Sequence, residues 1–191
     1  MAKVTMGASS LVYPKPAWLV GANVGGRPNF LTVGAGGVAN GTPPMISVAI
    51  HPARYSFRGI EENGTFSVNV PSIDQALETD YCGVESGSRA DKVEVCGFEV
   101  FYGRLGTAPM IEQFPVNLEC RVVQAPKLGS HTLFIGQIEE VYVSEECLTD
   151  GRPDLRKIRP LTFVGEPDRV YVGLGDVIAK SHSVGLQLRR R

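Results

Sequence analysis

The chain has 191 residues, 43% of them hydrophobic and 20% charged, with a formal net charge of −1. That length and balance fit one globular domain spanning residues 1–191, large enough to bury a substantial core. They argue against a general electrostatic nucleic-acid binder, and no run reaches the ~18 apolar residues that a membrane-spanning helix needs.

Met1 to Gly7 lack the apolar stretch of a secretory leader, so a cytoplasmic location is expected. After the stiff Tyr13-Pro14-Lys15-Pro16 entry, strands are predicted over 17–20, 29–33 and 45–50, the last ended by His51-Pro52. A short helix over 55–62 should stop at Asn63-Gly64, a good capping pair. Thr65-Phe66-Ser67-Val68-Asn69-Val70 alternates with period two and reads as a strand ended by Pro71. Ser72 and Gln75 have the spacing of a capping box, which opens a second helix running to about residue 81 and stopping at Gly83. Ser86 to Asp91 is a predicted loop, and further strands fall at 98–102, 116–124, 132–143 and 161–164. From about residue 176 the tail loses its pattern and is expected to pack on a partner subunit. Its end, Arg189-Arg190-Arg191, reads as a solvated terminus. Short strands between Gly/Pro turns predict a mainly β, closed or sandwiched architecture.

Several motifs bear on chemistry. Gly34-Ala35-Gly36-Gly37-Val38-Ala39 fits the GxGxxA dinucleotide fingerprint, but Asn40-Gly41-Thr42-Pro43-Pro44 would break the helix that fingerprint must open. The glycines instead suit a tight bend, a bulge or close backbone approach to a flat ligand. Arg54-Tyr55-Ser56 starts the first helix, where unpaired N–H groups and a guanidinium could cradle a phosphate; equally, Ser56 could be a plain helix cap. Ser86, Gly87 and Lys92 form a second possible phosphate grip, or an ordinary polar loop. Cys82, Cys96, Cys120 and Cys147 lack zinc-site spacing, so no metal site is predicted and free thiols are expected. Cys120 reads as a core residue, and Cys82, beside Gly83, as the cysteine that lines a site. His131 stands where the turn Gly129-Ser130 meets a strand; it is either a hydrogen-bonded turn residue or an imidazole placed for catalysis. There is no GxSxG elbow and no HExxH pair.

In order along the chain, PNFLTVG (28–34), Pro43-Pro44, HPARYSF (51–57), TFSVNVP (65–71), YCGVESGSRADK (81–92) and GSHTLFIG (129–136) resemble the flavin reductase-like, FMN-binding split-barrel family, and within it the flavoredoxin type. The resemblance covers most of residues 10–175. It implies a six-stranded antiparallel Greek-key split barrel with a few flanking helices, a homodimer, and FMN in a groove near the subunit interface. It implies that Asn29, Thr32, Val33 and Gly34 lie along the flavin, largely through backbone groups, with Ile50 and His51 also lining the cofactor. Arg54, Ser56 and Lys92 would hold the phosphate, with Ser86 and Gly87 nearby and Cys82 and Gly83 on the groove wall. His131 matches the histidine near which nicotinamide stacks in the reductases, so the resemblance makes it the catalytic residue. Ser130 stands where those reductases usually carry Asp, and this departure separates the FMN expectation from the NAD(P)H one.

The function expected is an FMN-dependent oxidoreductase moving electrons between NAD(P)H, or a redox-protein partner, and an acceptor. The alternatives are a flavoredoxin-type carrier without NAD(P)H activity and a non-catalytic flavin- or haem-binding barrel. Neither nucleic acid nor membrane is an expected partner.

Overall fold

The computed structural model describes residues 1–190; Arg191 and the Arg190 side chain, part of the predicted solvated end, lie outside the described residues. In chain order the strands are β1 (Lys15–Pro16), β2 (Trp18–Val24), β3 (Arg27–Val33), β4 (Gly36–Gly41), β5 (Pro44–Ile50), β6 (Thr65–Val70), β7 (Val100–Tyr102), β8 (Pro109–Ile111), β9 (Val116–Gln124), β10 (Lys127–Leu128), β11 (His131–Val143), β12 (Leu148–Thr149), β13 (Arg152–Pro153), β14 (Leu161–Val164) and β15 (Val170–Gly173). The α-helices are α1 (Tyr55–Asn63), α2 (Ala76–Val84), α3 (Lys92–Cys96) and α4 (Leu155–Ile158).

The main sheet runs β3-β2-β6-β9-β11-β5-β4, antiparallel throughout, with β10 paired to β11 off that path. Its outermost strands, β3 and β4, are joined by only Gly34-Ala35. Two residues cannot bridge the width of an open seven-strand sheet at about 4.8 Å per strand. The sheet therefore curls until its edges meet, and the Ala49 N–H donates to Ala35 O at 2.8 Å, carrying the β4–β5 ladder up to the bend. Among the described residues no ladder joins β3 to β5, so the barrel of β2, β3, β5, β6, β9 and β11 is split there, as the resemblance implied.

The glycine-rich stretch is thus the barrel's closing bend followed by a strand, and no helix follows it. A Cβ on Gly36 would come within 2.8 Å of Ser47 O and 2.9 Å of the Trp18 ring, so the closure demands glycine.

Alternation along the strands separates two cores. Val20, Leu31, Val33, Ile46, Val48, Phe66, Val68 and Phe134 fill the barrel, and Phe57 and Ile60 of α1 pack against them. The neighbours Leu19 and Phe30 point the other way, joining Cys82, Phe98, Ile111 and Phe114 in a second cluster. Burying each large side chain contributes roughly 1.5–3 kcal/mol. Cys120 is a fully buried core residue, as predicted.

Helix α1 ends as predicted: Gly64 adopts φ 64° and its N–H donates to Ile60 O at 2.9 Å. The Ser72/Gln75 capping box forms, with Ser72 N–H donating to Gln75 Oε1 at 2.6 Å, but it opens a 3-10 turn (Ile73–Gln75) that leads into α2. Helix α3 was not predicted. Asp91 Oδ1 accepts from the Val93 and Glu94 N–H groups at 3.0 and 3.2 Å, and Gly97 ends the helix at φ 62°. Among the described residues, the tail beyond residue 175 is exposed and its helical segment is a 3-10 one, Val184–Arg190. Among the described residues no helix is long and apolar enough to cross a membrane.

Candidate functional site

The open edge of β3 is prepared by the turn before it. Gly25 and Gly26 have φ 56° and 77°, a two-residue primed turn that makes Val24 and Arg27 the first paired residues of the β2–β3 hairpin. That pair exchanges both hydrogen bonds, and the pattern then alternates. Asn29, Leu31 and Val33 therefore bond to β2, whereas Pro28, Phe30 and Thr32 turn their backbone groups toward the split. Pro28, which has no N–H, sits at a position that needs none. Phe30 O, free of the ladder, accepts from Lys92 Nζ at 2.9 Å.

Beside this edge a cavity of about 230 Å³ brings together Asn29, Arg54, Ser56, Ser86, Gly87 and Lys92, all of them predicted site residues. Arg54 is the N-cap residue of α1, and no side chain caps that helix. Its first N–H groups and positive dipole end thus remain available to an anion. Ser56 is not a cap: its buried Oγ accepts from Asn29 Nδ2 at 2.6 Å, tying α1 to β3. Ser86 N–H donates to Glu85 Oε1 at 2.8 Å, and Arg89 Nε reaches the same oxygen at 2.9 Å. The Ser86 N–H and then the Arg89 guanidinium hold the Glu85 carboxyl below the usual carboxylate range. Gly87 forms the tightest part of the wall. A Cβ there would overlap Asn29 Oδ1 and approach Tyr55 Cδ1 to 2.7 Å.

Lys92 is only 3% exposed, and it also donates to Cys82 O at 2.8 Å. Burial pushes its pKa down. Its ammonium therefore staples β3 to α2 with two of its three donors and borders the cavity with the remainder. Cys82 corrects the sequence reading. Its thiol lies in the second core, 0% exposed and pushed up in pKa by burial, because period 3.6 along α2 turns Cys82 inward while Gly83 faces the groove. Only its carbonyl serves the site.

Gly83, Thr32 and Gly34 line a separate cleft of about 150 Å³ with Phe163 and Tyr171. Thr32 Oγ1 donates to Thr79 O, packing α2 onto β3. Tyr171 OH donates to Asp80 Oδ1 at 3.0 Å, and burial, then Asp80, pushes its pKa up to about 12. Val33 and Ile50 are core residues, 4% and 1% exposed, so only their backbones could reach a ligand.

The histidines form a third group. His131 pairs with His51 edge-to-face at 5.6 Å between ring centroids, because β11 aligns Thr132 with Ile50. His131 Nδ1 lies 2.9 Å from Ser130 Oγ, and His51 Nδ1 accepts from Ala53 N–H at 3.1 Å. Neither ring lines the anion cavity. Glu85 and Arg89, to which the sequence assigned no role, line this cavity with Tyr55 of the Arg54-Tyr55-Ser56 motif, and Arg27 lines an adjoining one. The Glu85–Arg89 spacing of i, i+4 was the available signal.

A split antiparallel barrel with a cation-lined cavity at its open edge places the chain among the flavin reductase-like split barrels. The flavin reductase-like domain family matches residues 9–166, and the chain belongs to that family. Within it, the chain is similar to the flavoredoxin of Methanosarcina acetivorans, at 40% identity and TM-score 0.93 over 98% of this chain and 100% of that one. The flavoredoxin of Desulfovibrio vulgaris (Miyazaki F) is 35% identical, with TM-score 0.90 over 96% and 100%. An NADH-dependent flavin reductase from a Rhodococcus species is 29% identical over 58% of this chain and 56% of its own length.

Proposed function

We propose that the protein binds FMN and moves electrons through it between NAD(P)H or a redox-protein donor and an acceptor, working in the cytoplasm as a homodimer with the flavin near the interface. One observation carries this reading. Arg54, the uncapped start of α1, Ser56, Ser86, Gly87 and Lys92 converge on one cavity beside a strand edge with free backbone groups. The donor set suits a phosphate: a guanidinium, helix N–H groups, hydroxyls and a glycine that lets backbone come close. Bound FMN would supply hydride or single-electron transfer, chemistry that side chains lack. Thr32 would orient the ring through its unpaired backbone N–H, and Lys92 would keep the cavity cationic. Exposed Leu174, Val177, Ile178, Leu186 and Leu188 support a partner-covered tail, and four free cysteines fit a reducing compartment.

A second reading, a flavoredoxin-type carrier without NAD(P)H activity, is favoured by two observations. The likeness to flavoredoxins spans nearly the whole chain, and His131 is engaged by Ser130 where the reductases have a carboxylate.

A titration of the purified protein with FMN tests the cofactor. A two-banded yellow spectrum that survives gel filtration is expected, and no binding would refute the proposal. Anaerobic stopped-flow mixing with NADH or NADPH separates the readings. Rapid bleaching marks the reductase; reduction only by a ferredoxin-like donor marks the carrier.

A further inference from the structure

A second cavity of about 220 Å³ adjoins the proposed phosphate cradle. The two share Asn29, Tyr55, Gly87, Arg89 and Lys92, so they are compartments of one groove, narrowed where Gly87 meets Asn29. The second compartment adds Arg27 and Asp91. Arg27 is exposed, and its place is fixed by the Gly25-Gly26 turn that starts β3. Among the described residues it has no ion-pair partner. Asp91 Oδ1 is engaged by the Val93 and Glu94 N–H groups, so that carboxylate serves α3. Four cationic side chains (Arg27, Arg54, Arg89, Lys92) thus line the joined groove against two carboxylates (Glu85, Asp91), in a chain whose net charge is −1. Such local concentration marks an anion site, and two compartments on either side of a constriction have room for two phosphoryl groups.

We propose that the Arg27 compartment is a subsite for a second phosphoryl group, so that the groove accepts a diphosphate. The proposal rests on the first compartment being a phosphate cradle. The second phosphoryl group has two possible sources, the pyrophosphate of FAD or a nucleotide separate from the flavin. Arg27 and Arg89 ligate it in both cases.

The test uses the full-length protein at constant ionic strength. Inorganic pyrophosphate should displace FMN at concentrations about tenfold or more below those of inorganic phosphate, since each added charged hydrogen bond supplies about that factor. Arg27→Ala should remove the advantage of pyrophosphate while leaving FMN affinity within about twofold, and Arg27→Glu should reverse it. Equal displacement by the two anions, or insensitivity of pyrophosphate to both substitutions, overturns the proposal. FAD binding more tightly than FMN, and losing that margin in Arg27→Ala, identifies the flavin's own pyrophosphate. Uptake of ADP by FMN-saturated protein, lost in Arg27→Ala, identifies a separate nucleotide. Failure of both arms also overturns the subsite. If the protein takes neither FMN nor riboflavin, the flavin reading fails separately, and calorimetry of pyrophosphate against phosphate on the same protein still decides the subsite.

Discussion

Replacing Gly87 by Ala tests whether the anion cavity is built as tightly as its geometry indicates. Gly87 does not have a positive φ, so alanine meets no backbone penalty and the effect is steric. The new Cβ would overlap Asn29 Oδ1 and sit 2.7 Å from both Asn29 Cγ and Tyr55 Cδ1. Asn29 is 5% exposed, and its Nδ2 donates to Ser56 Oγ at 2.6 Å. Turning Asn29 aside would leave a buried polar pair unsatisfied, at about 1–3 kcal/mol. Keeping it in place overpacks the wall, at a similar ~1–3 kcal/mol. Retreat of the 86–91 loop relieves part of either cost, but it carries Ser86 and Arg89 away from the cavity. The expected outcome is therefore a loss of about 1–3 kcal/mol in urea unfolding of the flavin-free protein with unchanged m-value, together with FMN binding weakened about tenfold or more. Gly37→Ala is the control. Its Cβ meets nothing within 4 Å, and its stability should stay within about 0.5 kcal/mol of wild type. A Gly87→Ala protein indistinguishable from that control in both assays would refute the packing argument.

Other predictions follow from the same geometry. Arg54→Ala should weaken FMN by about 10–100-fold and riboflavin by less than about threefold, because a charged hydrogen bond contributes about 1.5–3 kcal/mol only where a phosphate is present; equal losses in titration would show that Arg54 does not hold it. Thr32→Pro should fold but bind flavin poorly, whereas Leu31→Pro should unfold by circular dichroism, since only Leu31 uses its N–H in the β2 ladder; Thr32→Val controls for the lost hydroxyl bond to Thr79. Above pH 9, the ordinary thiol value, stability should fall with pH: burial holds Cys82 and Cys120 protonated in the folded chain while the unfolded chain releases those protons. Lys92, depressed in the folded state, works in the opposite direction, so the two thiols outweigh it, and Cys120→Val should flatten the slope by up to about 1.4 kcal/mol per pH unit in urea melts.

The strands were legible wherever one face is apolar and the other pairs with a distinct neighbour. β6 and β9 match their predicted bounds, and β11 does to within one residue. β4 was invisible because GGVANG has almost no side chains to alternate, and it forms only because closure lays it along β5. α3 was missed because five residues give no periodicity; its whole signal is the Asp91 cap and Gly97. In the site, the sequence marked Arg54, Ser56, Ser86, Gly87 and Lys92 by residue type alone, in two separate stretches, and the fold brings both stretches to one cavity. The error at Cys82 has a different origin. Adjacent residues on a helix face 100° apart, so nearness to Gly83 in sequence carried no information about which of them faces the groove.

Why the site lies on β3 follows from the closure itself. β3 runs through Gly34-Ala35 into β4, which among the described residues pairs with β5 and not with β3, so β3 is left with one edge outside the sheet's ladders. Such an edge normally invites association with another chain. Here the alternation set by Gly25-Gly26 decides which residues carry the free groups. The chain then treats each one differently. Pro28 presents no N–H, Phe30 O is capped by a buried ammonium, and Thr32 is left open beside the aromatic cleft. Thr32 thus presents its outward backbone groups next to the aromatic cleft of Phe163 and Tyr171, and its neighbour Leu31 borders the anion cavity. A flat ligand with a phosphate arm would meet hydrogen-bonding backbone and charge in the order in which the fold presents them.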